Sequence, residues 1–203
     1  MRIATLLCTL TLTACAAGAA LAGVLVNDNF AAKSLAGRDL SPTRGDWRLD
    51  ANIATCTQDD ALYTKNKNHG PIMWYDVNFT DGVVKFAIKP QGAKQFVFTL
   101  NNDKGHVFRF ITNQAGTSVR CWPEPGPKAT AKALLPPGDS TPTLADGEWI
   151  EAEVAFNGDK CVVKIGDFEK TFENPAITQP KTRLGLGFAF GTLSIRDVSV
   201  VTP

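Results

Sequence analysis

The chain holds 203 residues, with 21 Lys and Arg against 20 Asp and Glu, a net charge of +1. This balance, without a basic stripe or a charge run, argues against nucleic acid or an anionic membrane surface as partner. The length suits one sizeable core in one domain, and five cysteines without a close-spaced framework exclude a disulfide-stapled scaffold.

Residues 1–22 read as an export signal. Arg2 is their only charge, residues 3–12 form an apolar run, and Ala20-Leu21-Ala22 offers small residues before Gly23. Two routes stay open: free secretion after cleavage behind Ala22, or lipidation, because Leu12-Thr13-Ala14-Cys15 puts a thiol behind a short apolar run. A retained anchor would need a longer run. The mature chain, residues 23–203, is therefore expected in the periplasm or outside the cell, with no membrane span. Losing Arg2 makes it neutral. Cys56, Cys121 and Cys161 stay in it; Cys121 alternates in phase with Val119, and Cys161 with Val163 and Ile165, so buried thiols are expected.

From Val24 onward the pattern is period-two alternation in short runs, with almost no helical periodicity. In chain order the runs are VLVNDNF, PIMWYDVNF, GVVKFAIKP, KQFVFTLNN, HVFRFITN, GTSVRCW, EWIEAEVAFN, KCVVKIG, TRLGLGFAF and TLSIRDVSVV. Turn residues that accept positive φ separate several of them, at residues 80–82, 101–105, 113–116 and 157–159, which predicts antiparallel hairpins there. One Pro- and Gly-rich insert, residues 123–147, reads as a surface excursion, with a short strand over 131–135. Many short strands at this spacing predict an all-β fold, a two-sheet antiparallel sandwich or jelly roll.

Chemistry is sparser. Glu151 and Glu153 stand two apart, so their side chains share one face, about 6–7 Å apart from strand rise. That separation lies near the carboxylate pair of a retaining glycosidase, but alternation with Ile150, Ala152, Val154 and Phe156 also makes them the wet side of a half-buried strand, the reading preferred here. His69 and His106 lie far apart, and no close-spaced Cys or His set could hold zinc. No cofactor is expected beyond a structural calcium, for which Asn27, Asp28 and Asn29 could meet Asp197 if the terminal strands pair. Nucleophile elbows and phosphate-cradling loops are absent.

Polar-face aromatics carry more. In PIMWYDVNF the core face is Met73, Tyr75, Val77 and Phe79, which turns Trp74 outward with Asp76 and Asn78. In GTSVRCW, Val119 and Cys121 point inward, which turns Arg120 and Trp122 outward. An indole beside carboxylate, amide and guanidinium groups can cover the apolar face of a sugar ring and hydrogen-bond its hydroxyls. Trp74, Asp76, Asn78, Arg120 and Trp122 are accordingly the candidate ligand platform.

The order of these runs resembles the concanavalin A-like jelly-roll domains of exported bacterial proteins, in particular the 3-keto-disaccharide hydrolase domains (glycoside hydrolase family 16-like) and the laminin-G-like domains. The likeness spans residues 24–201. It is carried by Gly147 and Trp149 before a strand, by the hairpin FNGDKCVVKIGD, and by the closing LSIRDVSV with Arg196. The resemblance implies a curved sheet that can carry a carbohydrate site. Enzyme-like members of the family carry E-[YF]-R and N-S-G-[IV] runs, and family 16 glucanases an E-x-D-x-E signature; this chain has none of the three. The expectation is an exported domain that binds carbohydrate or a glycan surface without catalysis. Two alternatives stand beside it: a glycoside or 3-keto-disaccharide hydrolase or lyase, and a structural or adhesion module without a small ligand.

Overall fold

Alternation turns one face of nearly every strand toward a shared interior, and two sheets close over it. The computed structural model describes residues 23–32, 34–35, 38–124, 126, 129–138 and 141–203. The expected export signal, including Cys15, lies outside the described residues. The strands are β1 (Gly23–Asp28), β2 (Gly45–Asp50), β3 (Ile53–Gln58), β4 (Ile72–Phe79), β5 (Gly82–Gln91), β6 (Gln95–Asn102) and β7 (Gly105–Asn113). They continue as β8 (Gly116–Cys121), β9 (Lys132–Leu135), β10 (Ile150–Asn157), β11 (Lys160–Ile165), β12 (Phe168–Glu173), β13 (Lys181–Ala189) and β14 (Thr192–Thr202). A short α-helix, α1 (Asp60–Lys65), is capped by Asp59, whose carboxylate accepts from the Leu62 amide at 2.9 Å.

An eight-stranded sheet runs β12, β11, β10, β5, β14, β3, β2, with β1 also on β14. A six-stranded sheet runs β4, β13, β6, β7, β8, β9. All named pairings are antiparallel. Phenylalanines fill the space between the sheets: Phe86 of the larger sheet stacks on Phe98 at 5.7 Å between ring centroids, and Phe98 stacks on Phe110 at 4.9 Å. Each ring is almost wholly buried, and removing one such side chain from water stabilises the fold by about 1.5–3 kcal/mol. The fold is an all-β jelly-roll sandwich.

Three of the four predicted hairpins form: β6 with β7, β7 with β8, and β10 with β11. Residues 80–82 instead carry the chain from one sheet to the other, because β13 takes the pairing edge of β4 and β5 enters the opposite sheet. The Asp81 carboxylate fixes this corner by accepting from the Gly158 amide at 2.9 Å. The 123–147 insert also differs from a surface excursion. Its strand β9 extends the smaller sheet beside β8, and its Leu135 and Leu144 are buried in the core. Cys56, Cys121 and Cys161 are free and buried, and burial pushes the Cys56 thiol up to about 12.

Candidate functional site

The outer face of the six-stranded sheet is organised by register into cross-strand rows. Trp74 on β4 stands opposite Gly185 on β13, Gly185 opposite Thr99 on β6, Thr99 opposite Arg109 on β7, and Arg109 opposite Arg120 on β8. The next row toward one end is Asp76, Arg183, Asn101 and His106. Toward the other it is Ile72, Gly187, Val97, Ile111 and Ser118. One glycine in each of two rows leaves room on β13 for side chains of β4: a methyl at residue 185 would stand 2.6 Å from the Trp74 indole, and one at residue 187 would stand 3.2 Å from Ile72. The trough beside them is a groove of about 490 Å³ that reaches from Trp74 to Arg109. Loop residues His69, Gly70 and Pro71, with Tyr63 and Phe190, wall one end.

Strict alternation would send His106 and Arg109 to opposite faces. A β-bulge prevents this: Phe108 pairs with Leu100 and His106 with Asn101, so Val107 is an extra residue on β7. His106 and Arg109 therefore reach the same side. The Arg109 Nη2 donates to His106 Nε2 at 2.8 Å, and His106 Nδ1 donates to Asn101 Oδ1 at 2.8 Å. Thr99 Oγ1 donates to the same Asn101 oxygen at 3.2 Å. Burial first, then the Arg109 charge, lowers the His106 imidazole to about 4, so it is neutral near pH 7 and both ring nitrogens are committed. Burial also lowers the Arg109 guanidinium from its ordinary value.

Four of the five residues expected on the platform stand on strands of this sheet, and Trp122 directly follows β8. Trp74, Asp76 and Asn78 project outward from β4, and Arg120 is exposed on β8. Trp74 is half-covered: Arg183 lays its guanidinium over the ring at 4.4 Å from the centroid, while also pairing with Asp39. Trp122 differs from an open platform. It is only 8% exposed, because His106 packs on it at 4.9 Å between ring centroids and Arg109 covers it at 5.6 Å. It therefore backs the His106 and Arg109 pair. Trp74 and Arg120 are separated by four strand spacings, about 19 Å, so the two ends of the expected platform cannot hold one small ring. Asn101, His106, Arg109 and Gln95 fill the interval.

The other candidate sites lie elsewhere. Glu151 and Glu153 stand on the outer face of the larger sheet, where Glu153 pairs with Lys85 at 2.8 Å and Lys164 at 3.7 Å. The Lys85 hydrogen bond holds Glu153 below its usual range, the opposite of what a general acid needs. At the suggested calcium position β1 does pair with β14, but the Asp28 carboxylate is occupied by Arg38 and by the Tyr75 hydroxyl, which donates at 3.0 Å. Among the described residues no three His, Cys, Asp or Glu side chains gather as a metal set. A depression beside β2 and α1, lined by Asp46, Asp59 and Asp60, contains no aromatic ring.

A six-stranded antiparallel sheet packed against a larger one is a jelly-roll arrangement, and solved structures share it. A carbohydrate binding module, CBM66 from Bacillus subtilis, superposes with a TM-score of 0.57 at 10% sequence identity, covering 80% of this chain and 93% of its own. A tetrameric galectin from the ball sponge Cinachyrella sp. superposes with a TM-score of 0.51 at 14% identity, covering 63% of this chain and 99% of its own. No family model and no curated protein matches the sequence.

Proposed function

We propose that this is an exported, non-catalytic carbohydrate-binding domain whose ligand seats on the outer face of the six-stranded sheet. The observation that carries this reading is the trough between Trp74 and Arg109. The Trp74 indole, packed over Gly185, offers an apolar surface at its rim, and Asn101, Gln95 and Arg109 offer hydrogen-bonding groups for hydroxyls. Two proteins of the same fold are described as a carbohydrate binding module and a galectin, which agrees with that chemistry. Support for a non-catalytic role is the position of Glu151 and Glu153 on the opposite sheet, with Glu153 held ionised by two lysines. Export rests on the residue 1–22 pattern, and no helix among the described residues is long and apolar enough to cross a membrane.

A glycan array followed by calorimetry on the hits tests the reading. Trp74→Ala is expected to weaken binding at least about tenfold, since stacking and hydroxyl contacts are lost together. Glu153→Gln is expected to leave binding unchanged. The reading would be falsified if no glycan is retained, or if Glu153→Gln abolishes release of a reducing sugar from a bound one.

A further inference from the structure

We infer that the ligand of this groove is an anionic sugar, one that carries a carboxylate or sulfate group. The inference rests on the carbohydrate reading above and adds the charge of the ligand. Arg44, Lys94 and Arg109 line the groove together with His69 and His106, and no Asp or Glu does. No basic run announces this in the sequence: the three cations come from the segment before β2, the turn before β6, and β7. Of the carboxylates on the far side of Trp74, Asp39 pairs with Arg183, and Asp76 stands exposed 3.9 Å from the same guanidinium, outside the groove.

The groove cations lack such partners. Among the described residues Arg44, Lys94 and Arg109 make no ion pair with a carboxylate. Arg44 donates to the Gly70 carbonyl at 2.7 Å, Lys94 lies over the Phe190 ring, and Arg109 donates to His106. The Nε atoms of Arg44 and Arg109 are buried with no hydrogen-bond partner. A guanidinium drawn partly out of water without a counter-charge is held at a cost, and an anion that accepts from its fork removes that cost. The His106 imidazole is held neutral first by burial and then by the nearby Arg109 charge.

The aromatic lining decides which anion fits. A simple polyanion needs only charge, whereas this groove sets Trp74, Tyr63 and Phe190 beside its cations. That surface suits the apolar face of a pyranose whose acidic substituent points toward β7. The groove follows β6 from Gln95 to Thr99, about 13 Å of strand, with Lys94 near one end and Arg109 near the other. An oligosaccharide with acidic groups on separate residues meets both.

Calorimetry with matched pairs tests this on the purified protein. The probes are oligogalacturonate and its methyl ester, a sulfated galactan and its desulfated form, and polyglutamate as a non-sugar polyanion. One charged sugar is expected to bind at least about tenfold tighter than its neutral counterpart at low salt. That preference should shrink as NaCl rises from about 20 to about 300 mM, because partly exposed charges are screened. The arm that shows the preference identifies carboxylate or sulfate. Arg109→Gln should remove most of the preference, and Lys94→Ala, at an exposed position, should reduce it without risk to the fold. Neutral sugars binding as tightly as charged ones would overturn the anionic assignment and leave the carbohydrate reading intact. Equal binding of polyglutamate would overturn it too, as ion exchange without sugar recognition. If no sugar of either kind binds, both readings fall.

Discussion

The guanidinium of Arg196 lies over the indole of Trp149, 4.3 Å from the ring centroid. Ala87 stands opposite Arg196 in register and faces away from the core, yet it is only 3% exposed. The two residues named in the family-like motifs thus meet on the outside of the larger sheet. A double-mutant cycle with Trp149→Ala and Arg196→Ala should return a coupling of about 0.5–2 kcal/mol in unfolding free energy. Sugar binding should not change in either variant, because the contact is on the sheet opposite the groove.

Gly185 is required by Trp74. A methyl group at residue 185 would stand 2.6 Å from Cζ3 of the indole and 2.8 Å from Cε3. Gly185→Ala should therefore displace the ring, costing about 1–3 kcal/mol in stability and weakening ligand binding together. Thermal melts and calorimetry on one preparation check both. A variant that folds and binds like the parent would show that the indole does not shape the trough.

His106 should make the protein acid-sensitive. An unfolded chain protonates a histidine near pH 6.5, whereas this one holds out until about 4, so the unfolded state binds more protons between those values. The contribution of the buried neutral ring is complete above pH 6.5 and is lost as pH falls through 4. His106→Asn should flatten the melting temperature over that window relative to the parent, and melts at half-unit intervals would reveal it.

Lys181 should act at the alkaline end. Its ammonium is fully buried, donating at 2.7 Å to the carbonyls of Thr80 and Ile177 and at 3.1 Å to that of Gln179. Phe156 faces it at 4.6 Å, and burial lowers it to about 8 against the pull of Asp81 and Cys161. The unfolded lysine keeps its proton to about 10.5, so stability should rise between pH 8 and 10.5 and fall back as pH drops to 8. The window corresponds to at most about 3.5 kcal/mol, and each kcal/mol to about 2–4 °C in a domain of this size. The melting temperature of the parent minus that of Lys181→Met should climb across this range.

Alternation made the sandwich legible because burial enforces it: Met73, Tyr75, Val77 and Phe79 are all core residues, and Trp74, Asp76 and Asn78 all face out, as the pattern requires. The same rule hid half of the site. His106 and Arg109 sit three apart, out of phase with one another, and only the extra Val107 brings them to one face. A bulge of this kind is set by pairing with β6, which the local sequence of β7 does not encode. Strands β2, β3 and β12 escaped for a simpler reason, since GDWRLD, IATCTQ and FEKTFE have few large apolar residues to mark a period. Trp122 was placed on the correct side of the sheet, but its cover comes from β7, three-dimensional neighbours that spacing along β8 does not reveal.

The rows across the six-stranded sheet divide labour within single strands. On β6, Phe96, Phe98 and Leu100 hold the two sheets together, while Gln95, Val97, Thr99 and Asn101 line the groove proposed to take the ligand. Because the two sets lie on opposite faces of the strand, outward positions on β6 and β7 should be exchangeable without repacking the interior. Such a face behaves like a keyboard on a fixed frame: libraries at residues 95, 97, 101 and 111 should yield folded proteins in high proportion, from which variants with new ligand preferences can be selected.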